Sequence, residues 1–184
     1  MGTRGLTKVI DKDGITKVAQ YGQWDHYPEG QGVTILSILT TDRYAVEELE
    51  LSLDKCRFIS DEEQQRVYDN YNKVYPETTH LKKFSAILPS LSRDTCGEIL
   101  NVVRWSNAEV LLRDESDFEA DDLFCEGIYE INYQTNKFIS KFGGLVVEFP
   151  LDALPTPEEY LQGFILARAE KDLQEVVDNA NVLL

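Results

Sequence analysis

The chain opens on two short runs in which apolar and polar side chains alternate, Gly5-Leu6-Thr7-Lys8-Val9-Ile10 and Ile15-Thr16-Lys17-Val18-Ala19-Gln20-Tyr21. Asp11-Lys12-Asp13-Gly14 separates them, and Asp-Gly supplies the positive φ of a tight turn. The pattern predicts a β-hairpin over 5–21. At Val33 the period changes. Val33, Ile35, Leu36, Ile38 and Leu39 suit a short buried helix, although β-branching leaves a strand open. Tyr44 to Leu53 reads as a second helix, crowded with Glu47, Glu48 and Glu50. Ser60-Asp61-Glu62-Glu63 has the form of a capping box. It predicts a helix to about Val74, with Val67, Tyr71 and Val74 on one face, ending before Pro76. Ser92 is placed to cap a further helix through Ile99, Leu100 and Val103 to about Trp105.

The last third returns to strands. Ile128–Asn132 and Lys137–Phe142 flank a turn at Gln134-Thr135-Asn136, and Leu145–Phe149 follows Gly143-Gly144. Thr156-Pro157-Glu158-Glu159 combines a cap, a proline at the first helical position and a glutamate three residues after the cap. Leu161, Phe164, Ile165, Ala169, Leu173, Val176, Val177 and Ala180 then recur at helical spacing, a stripe that can pack on the body or form a dimer seam. No repeat or low-complexity linker interrupts the chain. The expectation is a single α+β domain over 1–184: an N-terminal β-hairpin, central helices, C-terminal antiparallel strands and a long terminal helix.

With 184 residues, 42% of them hydrophobic, the chain can bury a substantial core. Its charge is the unusual quantity: 33 acids against 18 bases, a formal −15. Phosphate contact needs clustered Lys and Arg, so this balance excludes a nucleic-acid surface of the usual kind and binding to an anionic membrane leaflet. Three cysteines, Cys56, Cys96 and Cys125, lie far apart and form no CxxC, and neither His26 nor His80 is near one. That predicts a reducing, cytoplasmic environment and no structural zinc. No segment reads as a secretion signal, and Val33–Leu39 is far too short to span a bilayer. Met1-Gly2 lacks the Ser or Thr that myristoylation wants at the place held by Leu6.

The excess charge is local. The first thirty residues hold four acids and four bases. From Asp114 to Glu130 there are eight acids and no base, and from Asp42 to Glu63 eight acids against Arg43, Lys55 and Arg57. Thr78 to Arg93 instead carries Lys82, Lys83 and Arg93 without an acid. The run 114–130 has two readings. One is a solvated loop. The other is a docking face for a basic partner, built from Asp114, Glu115, Asp117, Glu119, Asp121 and Asp122. Charge would then give association rate, and Phe118, Leu123 and Phe124 would be the apolar anchors. The run does not follow the alternation of a calcium loop.

A second cluster, Tyr21-Gly22-Gln23-Trp24-Asp25-His26-Tyr27-Pro28-Glu29-Gly30-Gln31-Gly32, is dense in special residues. Arg4, Gln23, Trp24, Asp25 and Tyr27 form a candidate ligand loop for a small molecule or nucleotide, and Asp25 beside His26 a candidate acid–base pair. The structural alternative has Trp24 and Tyr27 packed on the hairpin, Asp25 bonding turn amides, and Pro28 with the glycines shaping the helix entry.

Met1-Gly2-Thr3-Arg4-Gly5-Leu6, followed by Tyr21-x-x-Trp24-Asp25-x-Tyr27-Pro28-x-Gly30-x-Gly32, resembles the opening of a group of phage and prophage proteins. Phe124-Cys125-Glu126-Gly127-Ile128-Tyr129-Glu130-Ile131 and the hairpin after it resemble that group's C-terminal part. The matches touch both ends and leave roughly residues 40–110 uncovered. One branch is similar to type II-A anti-CRISPR proteins, which inhibit an RNA-guided DNA nuclease by binding it. The resemblance implies a phage-encoded inhibitor in the bacterial cytoplasm whose partner is a type II CRISPR nuclease. Nucleic acid would be met only through that complex. The resemblance carries no catalytic residue onto these positions, and no cofactor or metal is expected. Enzyme signatures point the same way. An N-terminal nucleophile would need Ser, Thr or Cys where removal of Met1 exposes Gly2, and GxSxG, P-loop and GxGxxG patterns are missing.

Overall fold

In the computed structural model, which describes residues 2–75 and 81–182, the alternating N-terminal runs are strands β1 (Gly5–Ile10) and β2 (Thr16–Gly22), paired antiparallel from Gly5↔Gly22 to Val9↔Val18. Their turn is set by local chemistry. The Asp11 carboxylate accepts the amides of Asp13 and Ile15, both at 2.9 Å, and Gly14 takes φ +80. Five further strands follow: β3 (Cys56–Phe58), β4 (Val110–Leu112), β5 (Gly127–Asn132), β6 (Lys137–Phe142) and β7 (Leu145–Pro150). The fold is α+β, with the hairpin, the central helices, the antiparallel C-terminal strands and the long last helix in their expected order.

One relation was not legible from the pattern. β5 lies parallel to β1, joining the two ends of the chain in a five-stranded sheet of order β2-β1-β5-β6-β7. A parallel pair needs a long crossover, and residues 23–126 provide it. The pattern also missed β3 and β4, a two-stranded parallel pair whose three-residue strands are too short for a visible alternation.

Among the described residues, six α-helices accompany the strands: α1 (Val33–Leu39), α2 (Ala45–Ser52), α3 (Asp61–Val74), α4 (Leu81–Ile87), α5 (Ile99–Trp105) and α6 (Pro157–Val182). One face of the large sheet carries Val9, Val18, Tyr129, Ile131 and Phe138. It packs against Ile35, Leu36 and Leu39 of α1 and against Tyr160 and Phe164 of α6. Val33–Leu39 is thus a helix, which decides the open alternative: its apolar residues bury against a sheet face. The opposite sheet face, with Leu6, Lys8, Ala19 and Glu130, lies under a short turn over Ser116–Ala120.

The capping box of α3 forms as expected, with Glu63 N–H donating to Ser60 Oγ and Ser60 N–H to the Glu63 carboxylate, both at 3.2 Å. Its inward face differs. Gln64 and Tyr71 are buried while Val74 is 67% exposed, because the helix turns its tyrosines toward Phe84 of α4. Ser92 does not cap α5. Its hydroxyl accepts the Asp94 amide, and a turn over Cys96–Glu98 leads into the helix instead. The apolar stripe of α6 is covered only near its start. Tyr160 is fully buried, whereas Ile165, Leu173, Val176 and Val177 are exposed. Pro76, Thr78, His80 and the side chains of Lys82, Lys83 and Ala180 lie outside the described residues. Among the described residues, no helix is long and apolar enough to cross a membrane.

Candidate interaction face and aromatic groove

Gly5, Gly22 and Gly127 stand side by side on three adjacent strands. A row of residues without Cβ leaves a notch in the core face of the sheet, and the His26 imidazole fills it. A Cβ on Gly5 or Gly22 would overlap the His26 ring, and one on Gly127 would overlap the His26 carbonyl. His26 is fully buried, and that burial pushes its pKa down to about 4 against the pull of the Trp24 carbonyl and Asp25. The neutral ring holds its proton on Nδ1, 3.0 Å from the Trp24 carbonyl oxygen. Its Nε2 has no hydrogen-bond partner among the described residues. The backbone of His26 is fixed as well: its N–H donates to the Thr3 carbonyl, and its carbonyl accepts the Tyr129 hydroxyl.

Asp25 sits one residue away in the opposite environment, exposed and with φ +59. The two side chains share no site, so the sequence pair is not an acid–base couple. Nor does Asp25 bond turn amides: among the described residues its contribution is a left-handed backbone, whose carbonyl accepts the Gln31 amide at 2.8 Å. Trp24 is 50% exposed and donates its indole N–H to Asp94 at 3.3 Å, and Tyr27 is exposed rather than packed on the hairpin. Gln23 accepts the Tyr21 hydroxyl, and the Arg4 guanidinium lies 4.1 Å over the Phe124 ring. Arg4, Gln23, Trp24, Asp25 and Tyr27 therefore lie together at a surface corner.

The corner joins the two clusters that stood apart in sequence. The chain before β1 runs between residues 23–27 and 124–127: Thr3 accepts the His26 amide, while the Arg4 carbonyl accepts those of Glu126 and Gly127. The Arg4 amide in turn donates to the Glu126 carboxylate at 3.2 Å. Trp24 lies beside this segment at Gly2, and Phe124 beside it at Arg4. Leu123, 77% exposed, follows directly between Asp122 and Phe124.

The six carboxylates of the acidic run divide into three groups. Glu119 and Glu115 are matched internally. Glu119 bridges Lys8 at 3.0 Å and Lys141 at 3.1 Å, and Glu115 meets Arg113 at 3.1 Å. Burial opposes the charge on Glu119, yet the two ammonium groups hold its pKa below the usual range. Asp114 and Asp121 fix turns, accepting the amides of Ser116 and of Leu123 and Phe124. Asp117 and Asp122 are exposed, and their carboxylates have no hydrogen-bond or ion-pair partner among the described residues. The segment is anchored to the sheet edge, since Glu115 N–H donates to the Ala19 carbonyl at 3.2 Å. Phe118 is packed edge-on against Tyr21, so of the three apolar anchors only Leu123 and Phe124 face outward. The acids of 42–63 are likewise partly matched: Arg104 takes Asp42 and Glu48, Lys12 takes Glu50, and Arg57 takes Glu63.

A groove of about 300 Å³ opens between β2, α3 and the turn before α5. The rings of Tyr21, Tyr68, Tyr71 and Phe84 line it, with Gln20, Arg93 and Arg113 among its polar residues. Sequence reasoning missed it because its residues come from four separate segments. The acid-free stretch ending at Arg93, and two tyrosines three apart on a helix, were the available signals. The thiols add no reactive group. Burial raises the pKa of Cys56 to about 12 and that of Cys125 to about 11, with the nearby carboxylates adding to the second. Among the described residues, no cluster of His, Cys, Asp and Glu could hold a metal ion. Comparison with protein-family models, curated proteins and solved structures finds no match to this chain.

Proposed function

We propose that the protein works by docking on a basic protein surface, and that its contact face is the corner built from residues 2–4, 23–27 and 121–126. One observation carries this reading. Trp24, Leu123 and Phe124 are solvent-exposed beside Asp25, Asp121, Asp122 and Glu126. Apolar anchors supply the affinity of an interface, and a rim of one charge supplies rate and discrimination.

The partner implied by the resemblance is the RNA-guided nuclease of type II CRISPR systems, met in the cytoplasm of an infected bacterium. Such nucleases hold nucleic acid in a positively charged channel, and they undergo a rearrangement that licenses cleavage. An acidic face seated on that channel would block DNA loading or the rearrangement. The test is pull-down on the guide-loaded nuclease, with plasmid interference read in parallel. Asp25→Lys and Asp122→Lys combined should abolish capture, and Leu123→Ala with Trp24→Ala should weaken it about tenfold or more. Capture of the wild type with unchanged capture of both variants would remove this face. Failure of the wild type to bind several nuclease orthologues would remove the partner.

A further inference from the structure

We infer that the groove between β2, α3 and α4 is a binding site for a free nucleoside monophosphate, a planar base carrying one compact anion. Three features point there. First, the floor is aromatic. Tyr68 and Phe84 stack at 4.8 Å, and Tyr71 meets Phe84 edge-on at 5.2 Å. Such a cluster favours a flat ring over an aliphatic chain, because rings add stacking to simple area burial.

Second, Gln20 presents a fixed acceptor. Both of its amide hydrogens are committed, to the Tyr21 carbonyl at 2.9 Å and the Ser92 carbonyl at 3.1 Å. Two carbonyl neighbours fix which end of the amide is nitrogen. The side chain, only 7% exposed, is left with Oε1 and no donor for it among the described residues. An open acceptor on a mostly buried side chain that lines the groove matches a ring N–H or exocyclic amino group. Asn72, on α3, offers both a donor and an acceptor to a base edge.

Third, the rim holds an uncommitted cation. Arg113 is paired with Glu115, and the other rim carboxylate, Asp94, accepts the Trp24 indole N–H. The guanidinium of Arg93 is exposed and has no side-chain partner among the described residues. An unpaired arginine beside aromatic rings suits a phosphate, which it can bind in a two-pronged fashion. The volume of about 300 Å³ is at the small end of ligand sites, which run to about 1,000 Å³. A longer nucleic acid is disfavoured by the net charge of −15, which repels a polyanion but leaves one phosphate to a local arginine.

This site shares no residue with the docking corner, so the two readings stand or fall separately. The test is titration calorimetry of the full chain against the four common nucleoside 5′-monophosphates, their nucleosides, and inorganic phosphate. At least one monophosphate should bind in the sub-millimolar range, and its nucleoside about tenfold or more weaker. Arg93→Ala should erase that difference. Phe84→Ala should weaken nucleotide and nucleoside alike, and Asn72→Ala gives a second groove variant should the aromatic change unfold the protein, as read by circular dichroism. No binding of any monophosphate at millimolar concentration overturns the inference. So does equal binding of nucleotide and nucleoside, or of nucleotide and inorganic phosphate.

Discussion

Two neighbouring parts of one corner are built on opposite principles. The His26 notch is the tightest packing at the end of the sheet: three glycines across three strands, a fully buried imidazole, and backbone bonds to Thr3 and Tyr129. The acidic segment beside it is held at a few points, through Lys8, Lys141, Arg113 and the Ala19 carbonyl, and leaves Asp117, Asp122 and Leu123 to solvent. Both were dense clusters in sequence. In the run over residues 22–32, the glycines and His26 marked tight packing, while Trp24 and Tyr27 stay at the surface. A run of carboxylates marked a segment that accepts solvent, where any one group can change at little cost to the fold.

The largest expected effect tests the notch. Gly5→Ala would place a methyl group against the Gly127 carbonyl and the His26 ring, neither of them the far end of a flexible chain. It should cost about 3 kcal/mol or more in urea unfolding at neutral pH. Gly163→Ala is the contrast. The added carbon would meet the tip of the Phe149 ring at 3.3 Å and Val147 at 3.6 Å, on a helix that favours alanine. Its effect should stay within about 1 kcal/mol.

The second test is pH. The folded state holds the pKa of His26 at about 4, below its ordinary 6.5, so the unfolded chain binds a proton first as pH falls. Stability due to this residue is present above pH 6.5 and is lost between 6.5 and 4. The loss should total roughly 3 kcal/mol. Unfolding free energies of wild type and His26→Gln, measured across that window, should converge by about that amount as pH falls. A constant gap between the two curves would mean that the histidine is not buried in its neutral form.

The smallest effects sharpen the other side. Asp117→Asn and Asp122→Asn should each change stability by less than about 0.5 kcal/mol. Lys8→Met removes the cation shared by Glu119 and the nearly buried Glu130, and should cost about 2 kcal/mol. Thermal unfolding of the three variants side by side checks the ordering. Equal losses would show that Asp117 and Asp122 are as embedded as Glu119.

Local chemistry was legible in the sequence because it is decided within a few residues. The Asp11–Gly14 turn, the Ser60/Glu63 capping box and the Thr156/Glu159 start of α6 all form where the pattern places them. Each is a hydrogen-bond arrangement spanning three or four positions. Whether the apolar stripe of α6 is covered was not legible for the converse reason. Helical spacing of Leu173 and Val176 tells which way they point, not whether a surface lies opposite.

The sequence by itself thus determined the longer elements, the caps of α3 and α6, and the sign and location of the surplus charge, because these depend on neighbours along the chain. Only the tertiary structure decided that β1 lies parallel to β5, that Gly5, Gly22 and Gly127 form one notch for His26, and that Trp24 and Phe124 share a corner. It also decided which carboxylates are matched, since Lys8 lies 111 positions from Glu119. Pairings of that range follow from strand order, which is set by how several apolar faces bury together and not by any local run of residues.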